Sequence, residues 1–257
     1  MNAILDYSVY TNEMKKGIED KLFFMNLVKM DSLLDYGCAD GNLIECMQEA
    51  LPDMRYVGYD FNEKMIALAK MKKIPNAHFF SKLDKAINAM HGVSGILCSS
   101  LIHEVYSYGT PEQVESFWSE LYSGHYDYVI IRDMALSQAS IDEHPLALFS
   151  DIQKVRKHAN KEHLAHFESL WGSIDKKENL LHFLLKYRYV NNWSREVEEN
   201  YFPCTLEEHL EKIPDGYELV HFEHFVLPFH KEVVMKDFGI TLQEPTHIKM
   251  IMKKVNT

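Results

Sequence analysis

Nowhere does an apolar run approach the roughly 20 residues that a membrane-spanning helix needs, so no segment is expected to cross a bilayer. The opening stretch, MNAILDYSVYTNEMKKG, lacks a basic region followed by an apolar one, so no secretory leader is expected either. Cysteine is scarce. Cys38, Cys46, Cys98 and Cys204 form no C-x-x-C pair and no zinc-like spacing, which excludes a disulfide scaffold and a zinc ribbon and predicts reduced thiols in a cytoplasmic protein. Positive charge is also short: Lys+Arg 27 against Asp+Glu 38 leaves a net charge of −11. This balance disfavours a broad nucleic-acid-binding face and leaves a local basic patch open.

What is present is ordinary globular material, 46% hydrophobic over 257 residues, long enough to build a core without a metal or disulfide staple. Apolar residues Ile18, Leu22, Phe23 and Leu27 recur at helical spacing, predicting an amphipathic helix from Asn12 to about Val28. Strand-like and helix-like segments then alternate. SLLDY (32–36), MRYVGYD (54–60), AHFF (77–80), GILCSS (95–100) and YDYVIIRD (126–133) read as strands. NLIECMQEAL (42–51), NEKMIALAKMKK (62–73) and EQVESFWSELYSG (112–124) read as helices. Short, continuously apolar strands separated by helices predict an α/β fold, a doubly wound, Rossmann-like, mostly parallel sheet.

From 134 to 204 the rhythm turns wholly helical, which predicts an insertion after the fifth strand; residues 1–133 and 205–257 make the core. Thr205 and Glu208 fit a capping box for a helix through Ile213. YELVHFEHFVL (217–227) and HIKMIMKK (247–254) read as strands, with Ile248, Met250 and Met252 on one face. The link from about Pro228 to Thr246 has no strong helical pattern, so these two strands are expected as an antiparallel edge pair.

The segment LLDYGCADGNL carries the functional signal. An apolar strand ends at Asp35 and runs through Gly37, Ala39 and Gly41 into a helix; small residues there allow a tight turn and a ligand's approach to main-chain N–H groups. The next strand ends in Asp60, nineteen residues beyond Gly41, where a carboxylate can accept both hydroxyls of a ribose. A nicotinamide fingerprint would need a third glycine at position 42, which is Asn42. The alternative is a bare structural turn, with Asp60 complementing a helix dipole.

The pattern D-x-G-x-A-x-G resembles the first motif of the class I S-adenosylmethionine-dependent methyltransferases, over residues 31–133 and more loosely over 205–254. The resemblance implies a methyltransferase using S-adenosyl-L-methionine. Asp35 would act near the cofactor's amino-acid portion, Gly37, Cys38, Ala39 and Gly41 would form the loop around it, and Asp60 would hold the ribose. Phe61 and Met65 would lie near adenine, and Ser99 at the end of the fourth strand completes the set. Ser81 and Lys82 depart from the family's pattern past the third strand, leaving Asp84 as the acid there.

Residues after the fourth and fifth strands face the reacting groups in such sheets. They are His103, Glu104, Arg132 and Asp133. His103 is the candidate base, because an imidazole titrates near neutral pH, with Glu104 or Asp133 to orient it. The alternative is a histidine that packs beside the cofactor without taking a proton. Arg132 could grip an acceptor carboxylate or phosphate, or only neutralise Asp133. Tyr106, Tyr108, Arg188, Trp193, Arg195 and Tyr201 are the candidate acceptor-binding residues, the last four in the insertion as a lid; an interface or solvated connector is the alternative.

His158, Glu162, His163 and His166 do not share one helical face, and His221, His224 and His230 lie on a strand-like stretch, so no metal is expected. The expected partner is a small-molecule or nucleotide acceptor, and a homodimer is admitted. Methyl transfer to oxygen or nitrogen of a small or medium-sized acceptor is the leading reading. RNA or nucleotide methylation and a non-catalytic cofactor-binding interaction protein are the alternatives.

Overall fold

In the computed structural model, which describes residues 18–142 and 148–255, seven strands form one sheet in the order β3-β2-β1-β4-β5-β7-β6. The strands are β1 (Ser32–Tyr36), β2 (Arg55–Tyr59), β3 (Ala77–Phe80), β4 (Ser94–Ser99), β5 (Tyr128–Met134), β6 (Tyr217–Phe225) and β7 (His247–Lys254). The first five are parallel, and β7 runs antiparallel to both β5 and β6. The doubly wound sheet with an antiparallel edge pair is as the alternation predicts. Both faces are buried: Val129 and Ile131 of β5 enter one apolar cluster with Ile248, Met250 and Met252, while Ile130 and Ile251 enter the other.

The helices are α1 (Ile18–Lys21), α2 (Asn42–Ala50), α3 (Glu63–Met71), α4 (Leu83–Ile87), α5 (Ile102–Tyr108), α6 (Pro111–Leu121), α7 (Gln138–Ile141), α8 (Phe149–His158), α9 (Lys161–Trp171), α10 (Lys177–Lys186), α11 (Trp193–Glu196), α12 (Leu206–Glu211) and α13 (Pro228–Phe238). The capping box at Thr205 and Glu208 forms, with Thr205 accepting from the Glu208 N–H and Glu208 from that of Thr205.

Three local expectations are corrected. Positions 12–17 of the opening helix lie outside the described residues, and from Ile18 the helix lasts only to Lys21 before a 3-10 turn at Phe23–Asn26. The link between the last strands contains α13, whose start and stop are its signals: Pro228 at the first turn and Gly239 in the left-handed region at the end. Its buried residues are only Val233, Val234 and Phe238, with Met235 exposed beside them, too short an apolar pattern for periodicity to register. His230 consequently sits on a helix, not a strand.

The helices between β5 and β6 share an apolar cluster of their own, including Phe167, Phe183, Leu184 and Val197, and Val234 and Phe238 of α13 complete it. This body abuts the carboxyl edge of the sheet, where β1, β2, β4 and β5 all end.

Candidate active site

The turn after β1 is built by chirality and close packing. Gly37 has φ +84°, and a Cβ there would fall 2.7 Å from Cδ1 of Leu101. Gly41, at φ +77°, begins α2, and a Cβ there would meet the Phe79 ring at 2.9 Å. Ala39 adopts φ +46°, a left-handed conformation that a side chain tolerates only when its surroundings enforce it.

Four main-chain donors of the turn are bonded within the protein. Gly37 and Cys38 donate to the Tyr59 carbonyl at 2.8 and 2.9 Å, Gly41 donates to that of Cys38 at 2.9 Å, and Ala39 donates to Asp60 Oδ2 at 3.0 Å. These four N–H groups thus hold the loop in place, and the missing side chains at Gly37 and Gly41 give it room. Cys38 is 5% exposed, and its Sγ lies 2.8 Å from where a Gly58 Cβ would stand, so the thiol is packing against β2.

Asp35 is buried at the end of β1. Burial raises its carboxyl to about 7, opposed by the positive charge of Lys21 and assisted by the charge of Asp60. Asp60 Oδ1 accepts from the Asn62 N–H at 2.8 Å, so each of its oxygens holds one main-chain donor and keeps a lone pair. Phe61 stands 67% exposed beside it and Met65 is half-buried. Ser99 Oγ, at the tip of β4, is buried with no hydrogen-bond partner among the described residues. Asp84 is exposed on α4.

These residues fit a nucleoside cofactor with an amino-acid tail. An acid, a Cβ-free turn, a second acid with both oxygens aligned and an orphan hydroxyl stand on one sheet edge. Asp35 would face the amino group, Asp60 the ribose, and Phe61 and Met65 the adenine.

Beside them, Asp133 gathers four hydrogen bonds. Oδ2 accepts from the Leu101 and Ile102 N–H groups at 2.9 and 2.6 Å, capping α5 from a neighbouring strand. Oδ1 accepts from its own chain neighbour Met134 at 2.8 Å and pairs with His103 Nδ1 at 2.7 Å. Burial alone would raise its carboxyl, but the His103 charge and these bonds hold it below the usual range. His103 Nε2 faces Glu199 Oε2 at 3.7 Å. Burial would lower His103, yet Asp133 and Glu199, with Glu104 behind, raise it to about 10. Two carboxylates thus favour the protonated imidazole and push its titration above the usual histidine range.

Arg195 bridges Glu104 and Glu199 at 3.0 Å each, and Tyr108 OH donates to Glu199 Oε1 at 3.1 Å. Tyr201 OH donates to Glu196 Oε2 at 2.5 Å, with its ring centred 5.3 Å from that of His103. His103, Glu104 and Glu199 have the reach of a three-ligand metal set, but the Arg195 guanidinium and the His103 imidazolium already balance the two carboxylates.

Of the six acceptor-binding candidates, Tyr108, Arg195 and Tyr201 converge on this network. Three do not. Tyr106 OH accepts from Trp118 Nε1 at 3.0 Å, Trp193 stacks on His163 at 4.3 Å, and Arg188 is exposed and tied to Asp237 at 2.5 Å. Arg132 does not neutralise Asp133: its Nε donates to Asp20 at 2.8 Å and its Nη1 to Ser100 at 3.0 Å. Sequence reasoning missed Asp20, Lys21, His182, Lys186 and Glu199. Only Glu199 left a signal, the Arg195-to-Glu199 spacing of four across the end of a helix.

A cofactor cradle at the carboxyl edge of a doubly wound sheet defines a nucleoside-cofactor enzyme class. A family model described as a methyltransferase domain matches residues 10–209. The chain belongs to this methyltransferase family, within the class I S-adenosylmethionine-dependent superfamily. Among solved structures, the plantazolicin methyltransferase BamL, in complex with a triazolic desmethylPZN analog and SAH, is similar at 14% identity. That match covers 96% of this chain and 89% of the other, with a TM-score of 0.50, and it is a likeness of fold. A SAM-dependent methyltransferase from Archaeoglobus fulgidus is 15% identical over 97% of this chain and 100% of its own, with a TM-score of 0.46. No curated protein matches the chain. Among the described residues, no helix is long and apolar enough to cross a membrane.

Proposed function

We propose that the protein transfers the methyl group of S-adenosylmethionine to an oxygen or nitrogen of a small or medium-sized acceptor. The observation that carries this reading is the juxtaposition of two half-sites on one sheet edge: the turn from Asp35 to Asp60 and the His103–Asp133 pair, 2.7 Å apart, at the ends of neighbouring strands. Support for the cofactor also comes from the plantazolicin methyltransferase, which was solved with SAH.

Bound in the cradle, S-adenosylmethionine supplies an electrophilic methyl on a sulfonium. The chain's task is alignment and proton removal. Asp35 fixes the amino-acid end, Asp60 the ribose, and the Cβ-free turn at Gly37 leaves space between them. His103 Nε2 takes the acceptor's proton, while Asp133 holds the Nδ1–H and so fixes both tautomer and ring orientation. Asp133 and Glu199 make the imidazole a strong base that is scarce in its neutral form at pH 7, so the rate of proton removal rises toward pH 10.

A small acceptor is favoured over RNA because the arginines of the nucleic-acid reading are tied to separate acids: Arg132 to Asp20, Arg188 to Asp237, and Arg195 to Glu104 and Glu199. Thermal shift with S-adenosylmethionine, S-adenosylhomocysteine and NAD tests the proposal, since a ligand at 100 times its Kd stabilises by about 2.7 kcal/mol. Stabilisation by the two sulfur compounds is expected. A response to NAD alone rejects the cofactor, and binding without turnover in a screen of hydroxyl and amine acceptors rejects the enzyme.

A further inference from the structure

Lys186, the last residue of α10, is 0% exposed, a placement that lysine almost never takes without a paired acid. Among the described residues no carboxylate lies within ion-pair reach of its Nζ. Instead Nζ donates to two main-chain carbonyls, those of Glu196 at 2.8 Å and Glu199 at 2.6 Å, and lies 4.4 Å from the centre of the Tyr201 ring. His182 Nε2 lies 3.0 Å from the same Glu199 carbonyl and 3.3 Å from the Tyr201 main-chain nitrogen. These carbonyls lie in the turn after α11, where the Glu199 N–H, at 3.3 Å from the Glu196 carbonyl, is the one main-chain donor to them among the described residues, and Lys186 ties the two carbonyls together.

The turn so held carries Glu199, whose side chain reaches His103, and follows directly on Arg195. We propose that Lys186 is a positioning residue that holds Glu199 against His103 and thereby sets the proton affinity of that histidine. Its catalytic consequence rests on the reading of His103 as proton acceptor. The groups facing Lys186 are Glu196, Glu199 and His182. Those facing His103 are Asp133 of β5, Glu104 of α5 and Glu199, with His182 and His247 further off. Burial brings Lys186 down to about 7, against the pull of Glu196 and Glu199. The neutral amine still has two N–H groups for two carbonyls, so the staple survives its own deprotonation.

The test follows the His103 ring by NMR in the full chain labelled at histidine, together with the pH profile of kcat/KM. In Lys186→Met the turn loses its donor, Glu199 leaves His103, and the His103 titration moves down by about one unit or more, carrying the ascending limb of the profile with it. Lys186→Gln, which keeps a donor, gives a smaller shift, and it decides the matter by the same readout if the Met variant does not fold. Glu199→Gln reproduces the shift, and the double variant adds nothing to it, as two ends of one device require. An unchanged His103 titration in a folded Lys186 variant overturns the proposal, as does a fall in kcat with the profile unmoved. If His103→Gln retains full turnover, the proton-acceptor reading fails while the NMR shift still scores Lys186.

Discussion

His103 Nδ1 and Asp133 Oδ1 are 2.7 Å apart, and the same carboxylate caps the helix that carries the histidine. One acid thus sets the position of α5, the direction of the imidazole and its charge. In Asp133→Asn the amide oxygen can still accept from Leu101 and Ile102, but the amide nitrogen turns a donor toward a donor. The loss of a buried charged partner is expected to cost about 3 kcal/mol, read by urea denaturation. The His103 titration, and with it the rise of kcat/KM with pH, should move to lower pH. An unchanged profile in the folded variant would remove Asp133 as the orienting acid.

The same pair makes stability depend on pH with a definite sign. His103 is raised from 6.5 to about 10 in the folded chain, so the folded state binds the extra proton across that interval. Its contribution is fully present below about pH 6.5 and is lost as pH rises toward 10. Lys21 and Lys186 are lowered to about 8 and about 7 by burial, and they act in the opposite sense over part of this window. The informative quantity is therefore the difference between the wild type and His103→Gln in denaturant midpoint. That gap should narrow from about pH 6.5 to about pH 10, and a constant gap would mean that the imidazole is not the titrating group.

The sheet and the cofactor turn were legible because they rest on local chemistry. β5 reads YVIIRDM, apolar on both faces and polar at its tip, and only small residues suit the backbone that Gly37 and Gly41 adopt. The proton-transfer half was legible as residues but not as a network. His103 and Asp133 are thirty positions apart, Tyr108 and Glu199 ninety-one, and no periodicity encodes which carboxylate meets which ring. Lys186 was hidden for a sharper reason. In ENLLHFLLK it reads as the solvated end of a helix, and its partners are main-chain carbonyls, which leave no trace in side-chain identity. Arg188, two residues on, reads as one of the candidate acceptor-binding cations and is exposed.

Gly37→Ala separates space from hydrogen bonding at the turn. The new methyl would crowd Leu101, from a backbone at φ +84°, at a stability cost of about 1–2 kcal/mol. The donors that fix the loop, from Gly37 and Cys38 to Tyr59, are unaffected in kind. Calorimetric titration with S-adenosylhomocysteine should show Kd rising by about tenfold or more while the circular dichroism spectrum stays native. Unaltered affinity in that variant would mean that the cofactor does not pass close to this turn.

Asp35 gives a pH signature at the cofactor half of the site, distinct from that of His103. Its carboxyl is raised from 3.8 to about 7 by burial, with Lys21 opposing and Asp60 assisting, so below that point the cofactor-free protein carries it protonated. A positively charged amino group binding there requires the carboxylate, and the proton must leave first. Affinity for S-adenosylhomocysteine is therefore expected to fall by about tenfold per pH unit below about pH 7, and to level off above it. Asp35→Asn should bind more weakly at neutral pH and lose the acid dependence altogether. Calorimetry from about pH 5.5 to about pH 8.5 on both proteins decides it, and a wild-type curve as flat as that of the variant would assign the amino-acid end of the cofactor to another residue.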